Sequence, residues 1–138
     1  MRTAIDSNVI SAIWTGEPGA PKLIERLSLA KSDGALLICP VVFSELYAYP
    51  GASEAFLYKF LKDTEVDVDY LLQEQVWAES GRRFARYAAR RRISSGAGPR
   101  RLVADFLIGA HALLQADRLM TLDPKVYQQD FPELQLIQ

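Results

Sequence analysis

Apolar and polar residues alternate along this chain in two periods, and the switches between them outline a fold. Thr3–Asp6 reads as a short strand, and Ser7–Trp14 carries Ile10, Ile13 and Trp14 at helical spacing. "TGEPGAP" is a loop by its Gly and Pro content, and Lys22–Ala30 is a helix with Leu23, Ile24 and Leu27 inward and Gly34 just past its end. Ala35–Cys39 is wholly apolar, as a strand buried on both faces must be. Pro40 suits the first turn of the next helix, which carries Val42, Glu45, Leu46 and Tyr49 and stops at Pro50-Gly51.

A further helix begins near Ser53, with Phe56, Leu57, Phe60 and Leu61 as its stripe. "VDVDY" alternates, which fits a half-buried strand or a turn into the next helix. Leu71–Arg92 forms a long helix offering Leu72, Val76, Phe84 and Tyr87 to a core, and "ISSGAGP" breaks it. Val103–Ala116 is a helix; Arg118–Leu122 and Glu133–Ile137 are strands. Strands alternating with helices predict an α/β sandwich around a parallel sheet of four to five strands. In such sheets ligands bind outside the carboxyl ends of the strands.

Four acids fall at or near those ends: Asp6, Glu45, Asp105 and Asp123. Each has a structural reading of its own. Asp6 can cap a helix, Asp105 can complement a helix dipole, and Asp123-Pro124 is ordinary turn chemistry. Glu45 can occupy an exposed face, although only Ser44 joins it as a polar strip amid "VVFSELYAY". Together they predict a shared cleft, where like charges require a cation or raised pKa values. That points to a divalent ion and metal-assisted chemistry. His111, the single histidine, sits about 120° from Asp105 around its helix and reads as a surface or satisfied core residue. No Ser–His–Asp set, Cys/His metal spacing or glycine-rich nucleotide loop is present.

Length and composition narrow the reading. The 138 residues suit one domain, residues 1–138, and 49% hydrophobic content opposes disorder. The single Cys39 lies in an apolar run and reads as a buried thiol, in keeping with a reducing cytoplasm. No apolar run approaches the roughly 20 residues of a membrane span. Net charge is −1, yet Gly81–Arg101 holds eight arginines and no acid. The rest of the chain carries 17 acids against 8 bases, a net −9. Arginine suits phosphate recognition, and no acid within the stretch can pair at i, i+4. Arg82, Arg86, Arg90, Arg100 and Arg101 are therefore candidate contacts to a phosphate backbone, against the alternative of a solvated or partner-bridging helix face.

With these residues in place the chain resembles the PIN-domain ribonucleases, in particular the VapC-like toxins of toxin–antitoxin pairs. "AIDSNVISAIW" resembles the first motif of that family, "PVVFSELYA" the second, and "RRLVADFLIGAHALLQADRLMTLD" the third and fourth together. Thr121 fits the Thr two residues before the last acid. Many relatives have an acid just before the aromatic of the last motif; here Val126 precedes Tyr127, so Asp123 must supply the fourth carboxylate, with Asp130 and Asp117 as neighbouring alternatives. Asp117, before the strand, should point away from the carboxyl ends.

The resemblance implies a PIN-like three-layer sandwich and a Mg2+- or Mn2+-dependent endoribonuclease that hydrolyses RNA with a metal-activated water. Asp6 and Asp105 would bind the metal, Glu45 and Asp123 would complete the catalytic set, and Asn8 and Thr121 would orient them. It also implies a cognate antitoxin and a homodimer. Two other readings stay open: a non-catalytic RNA- or protein-binding module on the same fold, and a nuclease acting on DNA.

Overall fold

A computed structural model describes residues 1–96, 98, 99 and 101–138. Five strands form one sheet: β1 (Thr3–Ile5), β2 (Leu36–Ile38), β3 (Val66–Val68), β4 (Arg118–Met120) and β5 (Leu136–Ile137). Their order is β3-β2-β1-β4-β5, and every pairing is parallel. The helices between them are α1 (Ser7–Thr15), α2 (Ala20–Asp33), α3 (Pro40–Leu46), α4 (Glu54–Thr64), α5 (Glu74–Ser95), α6 (Val103–Gln115) and α7 (Pro124–Gln128). The predicted α/β architecture is the observed one, with helices flanking a central sheet.

The order of strands decides where a site can form. The chain moves outward from β1 through β2 to β3, then returns to the other side of β1 as β4. Connections therefore diverge between β1 and β4, the switch point at which open α/β sheets leave a crevice. Ala4 pairs with Leu119 and Ile5 with Met120, so Asp6 and Thr121 leave the sheet side by side. Residues of β1 and β2 are buried throughout, which accounts for the unbroken apolar character of β2; in β1 the buried Thr3 hydroxyl accepts from Arg118 Nε at 2.9 Å. Ile5, Ile10, Ile38, Phe106, Leu119, Met120, Tyr127 and Phe131 are among the largest side chains sealed in the core.

Boundaries differ from the sequence reading where caps decide them. Helix α5 starts three residues later than predicted, at Glu74, because Leu71–Gln73 are not helical; Leu71 is exposed. It runs to Ser95 and ends on Gly96 at φ 68°, a left-handed conformation that glycine adopts without strain. Helix α3 ends at Leu46, and turns carry the chain on to Pro50. "VDVDY" opens as strand β3, with Val66 buried and Asp67 exposed. Helix α7 was not anticipated; Pro124 stands in its first turn, where a missing N–H costs nothing. Gly109 of α6 admits the ring of Phe131, which lies 2.5 Å from where a Cβ would stand.

Candidate active site

Asp6 follows β1 directly and occupies the N-cap of α1, where its Oδ1 accepts a hydrogen bond from Ser7 N–H at 2.8 Å. The capping role and the site role thus coincide in one carboxylate. Its Oδ2 accepts from Thr121 Oγ1 at 2.9 Å and from Tyr127 Oη at 2.8 Å. Burial raises its pKa, those three donors pull it back, and the charge of Asp105 pushes it up again. Asn8 and Thr121 brace this corner. Thr121 Oγ1 accepts from Asp123 N–H at 3.1 Å and from Asn8 Nδ2 at 3.5 Å, while Asn8 Oδ1 accepts from Leu122 N–H at 3.2 Å.

The other acids surround Asp6 from separate elements. Glu45 projects from α3. Its side chain is exposed, yet burial of the carboxyl end together with the charges of Asp6 and Asp105 raises its pKa, against a hydrogen bond from the Ser7 side chain. Asp105 stands in the first turn of α6. Burial raises it first, the Arg101 guanidinium lowers it, and the charge of Asp123 raises it. Arg101 Nε is 3.6 Å from Asp105 Oδ2, a contact of charges too long for a hydrogen bond. Asp123, exposed at the start of α7, is therefore within electrostatic reach of Asp105.

Four acids separated by up to 117 positions thus influence one another around one cleft. Their donor set is all oxygen, which suits Mg2+ or Mn2+ rather than a soft ion. Among the described residues, no three Asp, Glu, His or Cys side chains stand close enough to share one ion. The acids act on each other through space without converging.

Neither alternative to Asp123 fits the cleft. Asp130 is buried between Arg90 and Arg101, so its charge is already neutralised. Asp117 accepts from Arg2 N–H at the amino edge of the sheet, as expected of a residue before a strand. His111 is fully buried, with Nε2 3.0 Å from Asp69 Oδ2; burial lowers its pKa, so it is a neutral core histidine. Cys39 is buried, and its thiol is pushed up to about 11 by that burial.

The arginine stretch acquires partners from outside itself. Glu79, just before it, takes both Arg82 at 3.0 Å and Arg83 at 2.9 Å. Buried Arg83 also donates to Glu133 and to the Asp130 carbonyl, and its guanidinium lies over the Phe131 ring. Arg90 and Arg101 converge on Asp130. Arg86 is exposed and has no hydrogen bond or ion pair among the described residues, and Arg100 lies outside them. Tyr127 is the site residue that the sequence reading missed. Its hydroxyl, buried against Asp6, was read only as the aromatic of the last motif.

Comparisons with known proteins place the fold. The chain is similar along its whole length to a chain of VapBC2 from Rickettsia felis, solved bound to a promoter DNA fragment. The identity is 19%, the TM-score 0.68, and the match covers 99% of this chain and 98% of that one. A chain of VapBC-1 from nontypeable Haemophilus influenzae matches at 23% identity and TM-score 0.66, covering 99% of this chain and 97% of that one. No curated protein matches the sequence. The family model for the PIN domain matches residues 3–132. The cleft between β1 and β4 is thus set in a known frame, and the chain belongs to the PIN-domain family.

Proposed function

We propose that this protein is a metal-dependent endoribonuclease, one domain acting as the toxin of a toxin–antitoxin pair in the cytoplasm. The observation that carries the reading is the mutual influence of Asp6, Glu45, Asp105 and Asp123 at the switch point of the sheet. An acidic cleft repels a phosphate chain unless a cation stands in it, and the oxygen donor set fits Mg2+ or Mn2+. Asp6 and Asp105 would hold the ion, with Glu45 and Asp123 alongside. A bound ion supplies charge to offset that gathering on the phosphoryl oxygens and lowers the pKa of the attacking water.

The chain's own residues divide the remaining tasks. Three hydrogen bonds fix the Asp6 carboxylate in one orientation. Glu45 has a raised pKa and stands exposed at the cleft, which suits its carboxylate to accept the proton from the attacking water. Cleavage in this manner leaves a 5′-phosphate and a 3′-hydroxyl. Exposed Arg86 would touch the RNA backbone, with Arg82 and Arg90 beside it on α5, a contact that positions without reading sequence. The likeness to VapBC chains supports a protein antitoxin as partner, and a homodimer belongs to the same reading.

Brief expression followed by sequencing of cellular RNA ends tests the activity, and growth arrest tests the toxin role. We expect new 5′-phosphate ends and arrest with the wild type, and neither with Asp6→Asn. Cleavage that persists in chelator would refute the metal role, and RNA left intact by wild-type protein would refute the nuclease. Sedimentation at micromolar concentration tests the dimer, and a monomer there would exclude it.

A further inference from the structure

Arg101 stands where the cleft meets the arginine network, and its contacts set it apart from the other arginines. Nη1 is bound to Asp130 at 2.9 Å, and Asp130 is itself held by Arg90. The guanidinium carbon lies 4.6 Å from the Phe106 ring centre and 5.7 Å from that of Tyr87. The Arg101 backbone N–H donates to Tyr87 Oη at 2.9 Å. Nε and Nη2 are sealed from solvent and have no hydrogen-bond partner among the described residues. Buried donors of a guanidinium are rarely left unmade. Nε lies 3.6 Å from Asp105 Oδ2, on a side chain that is still 36% exposed.

We propose that Arg101 is a resident counter-cation of the acid cleft, a positioning residue that sets a fixed positive charge against Asp105 and yields that carboxylate to an incoming divalent ion. Asp130 and the two rings anchor the guanidinium, so it cannot follow Asp105 away. The side chain thereby lets four acids fold together before an ion arrives, and it competes with the ion once one does. This assigns Arg101 a task different from gripping an RNA phosphate, because its free donors face inward and are closed to solvent. The competition with an ion rests on the metal reading above; the folding role does not.

The test has two arms. In chelator, thermal unfolding of wild type, Arg101→Gln, Asp105→Asn and the double variant forms a cycle. Arg101→Gln should lower Tm in the wild-type background and lower it less in the Asp105→Asn background. Equal losses in both backgrounds would overturn the counter-cation role and leave Arg101 as packing alone. In the second arm, Mn2+ is titrated by calorimetry. Affinity should rise roughly 5-fold or more in Arg101→Gln, the low end of coupling between sites, and return to the wild-type value in Arg101→Lys, which keeps the charge. Unchanged or weaker Mn2+ binding in Arg101→Gln would overturn the competition. Absence of Mn2+ binding by wild type would overturn the metal reading instead, and the chelator cycle would still decide the role of Arg101.

Discussion

Two charge clusters lie close together in this molecule, and they are organised in opposite ways. Around α5, Glu79 and Glu133 are matched by Arg82 and Arg83, and Asp130 by Arg90 and Arg101. Those partners lower the pKa of Glu79 and hold Glu133 at about 2. At the carboxyl ends of β1 and β4, the acids face other acids, and Asp6, Glu45 and Asp105 are all raised. Paired charge builds this structure. Repelling charge in a cleft is retained at the expense of stability, which makes the cleft the candidate site.

The contrast breaks most visibly at Asp105. Asp105→Asn should lower RNA cleavage beyond the ~10–100-fold typical of losing an outer partner of a metal ligand, while thermal stability in chelator holds or rises because a repelling charge is gone. A large loss of stability would place Asp105 in the structural class instead. Next comes Arg83→Ala. It takes the arginine from Glu133, one of two from Glu79 and the donor from a buried carbonyl, and should cost about 3 kcal/mol in urea unfolding; a cost near zero would show that the α5 cluster is solvated ornament. Tyr127→Phe removes one donor from Asp6 and should reduce Mn2+ affinity or cleavage about 10-fold, with little change in fold. Equal affinity in both proteins would remove Tyr127 from the site.

Smaller effects separate the clusters by pH and salt. Raised carboxyls bind protons more readily in the folded state, so their contribution is full at low pH and falls as pH rises through their folded values. The lowered acids do the reverse: Glu79 and Glu133 stabilise above the ordinary carboxylate range, and that is lost as pH falls toward the folded values, about 2 for Glu133. In chelator, Asp6→Asn should therefore flatten the decline of Tm above pH ~4, and Glu133→Gln should flatten the decline on the acid side. Matching curves for both variants would erase the distinction. Finally, Arg86→Ala should weaken RNA binding and reduce the salt slope by about 1; an unaltered slope would exclude Arg86 from the phosphate path.

Much of the cleft was legible because its parts announce themselves locally. Asp6, Asp105 and Asp123 sit beside a strand end, a helix start and a turn, and each position is fixed by short-range periodicity. The sheet was legible for the same reason, since β2 is an unbroken apolar run and β1 a short segment closed by Asp6. The arginine pairs were not. Arg90 and Asp130 are 40 residues apart, and Arg83 and Glu133 are 50 apart. Charge counted within a window cannot register partners that only the folded chain brings near. Tyr127 escaped for a related reason: it precedes no acid pattern of its own, and its value lies in a hydroxyl that meets Asp6 across the chain.

The separation of Asp6 from Tyr127 also sets a clock. The two residues that share a hydrogen bond are 121 positions apart, and Thr121 is 115 from Asp6. At bacterial or eukaryotic translation speeds of about 5–20 residues per second, Asp6 leaves the ribosome roughly ten seconds before the hydroxyls that orient it are made. A nascent chain carries the first acid of its active centre without the means to aim it. A protein proposed to cut RNA would thus be harmless to its own message until synthesis has passed the last strand-to-helix turn.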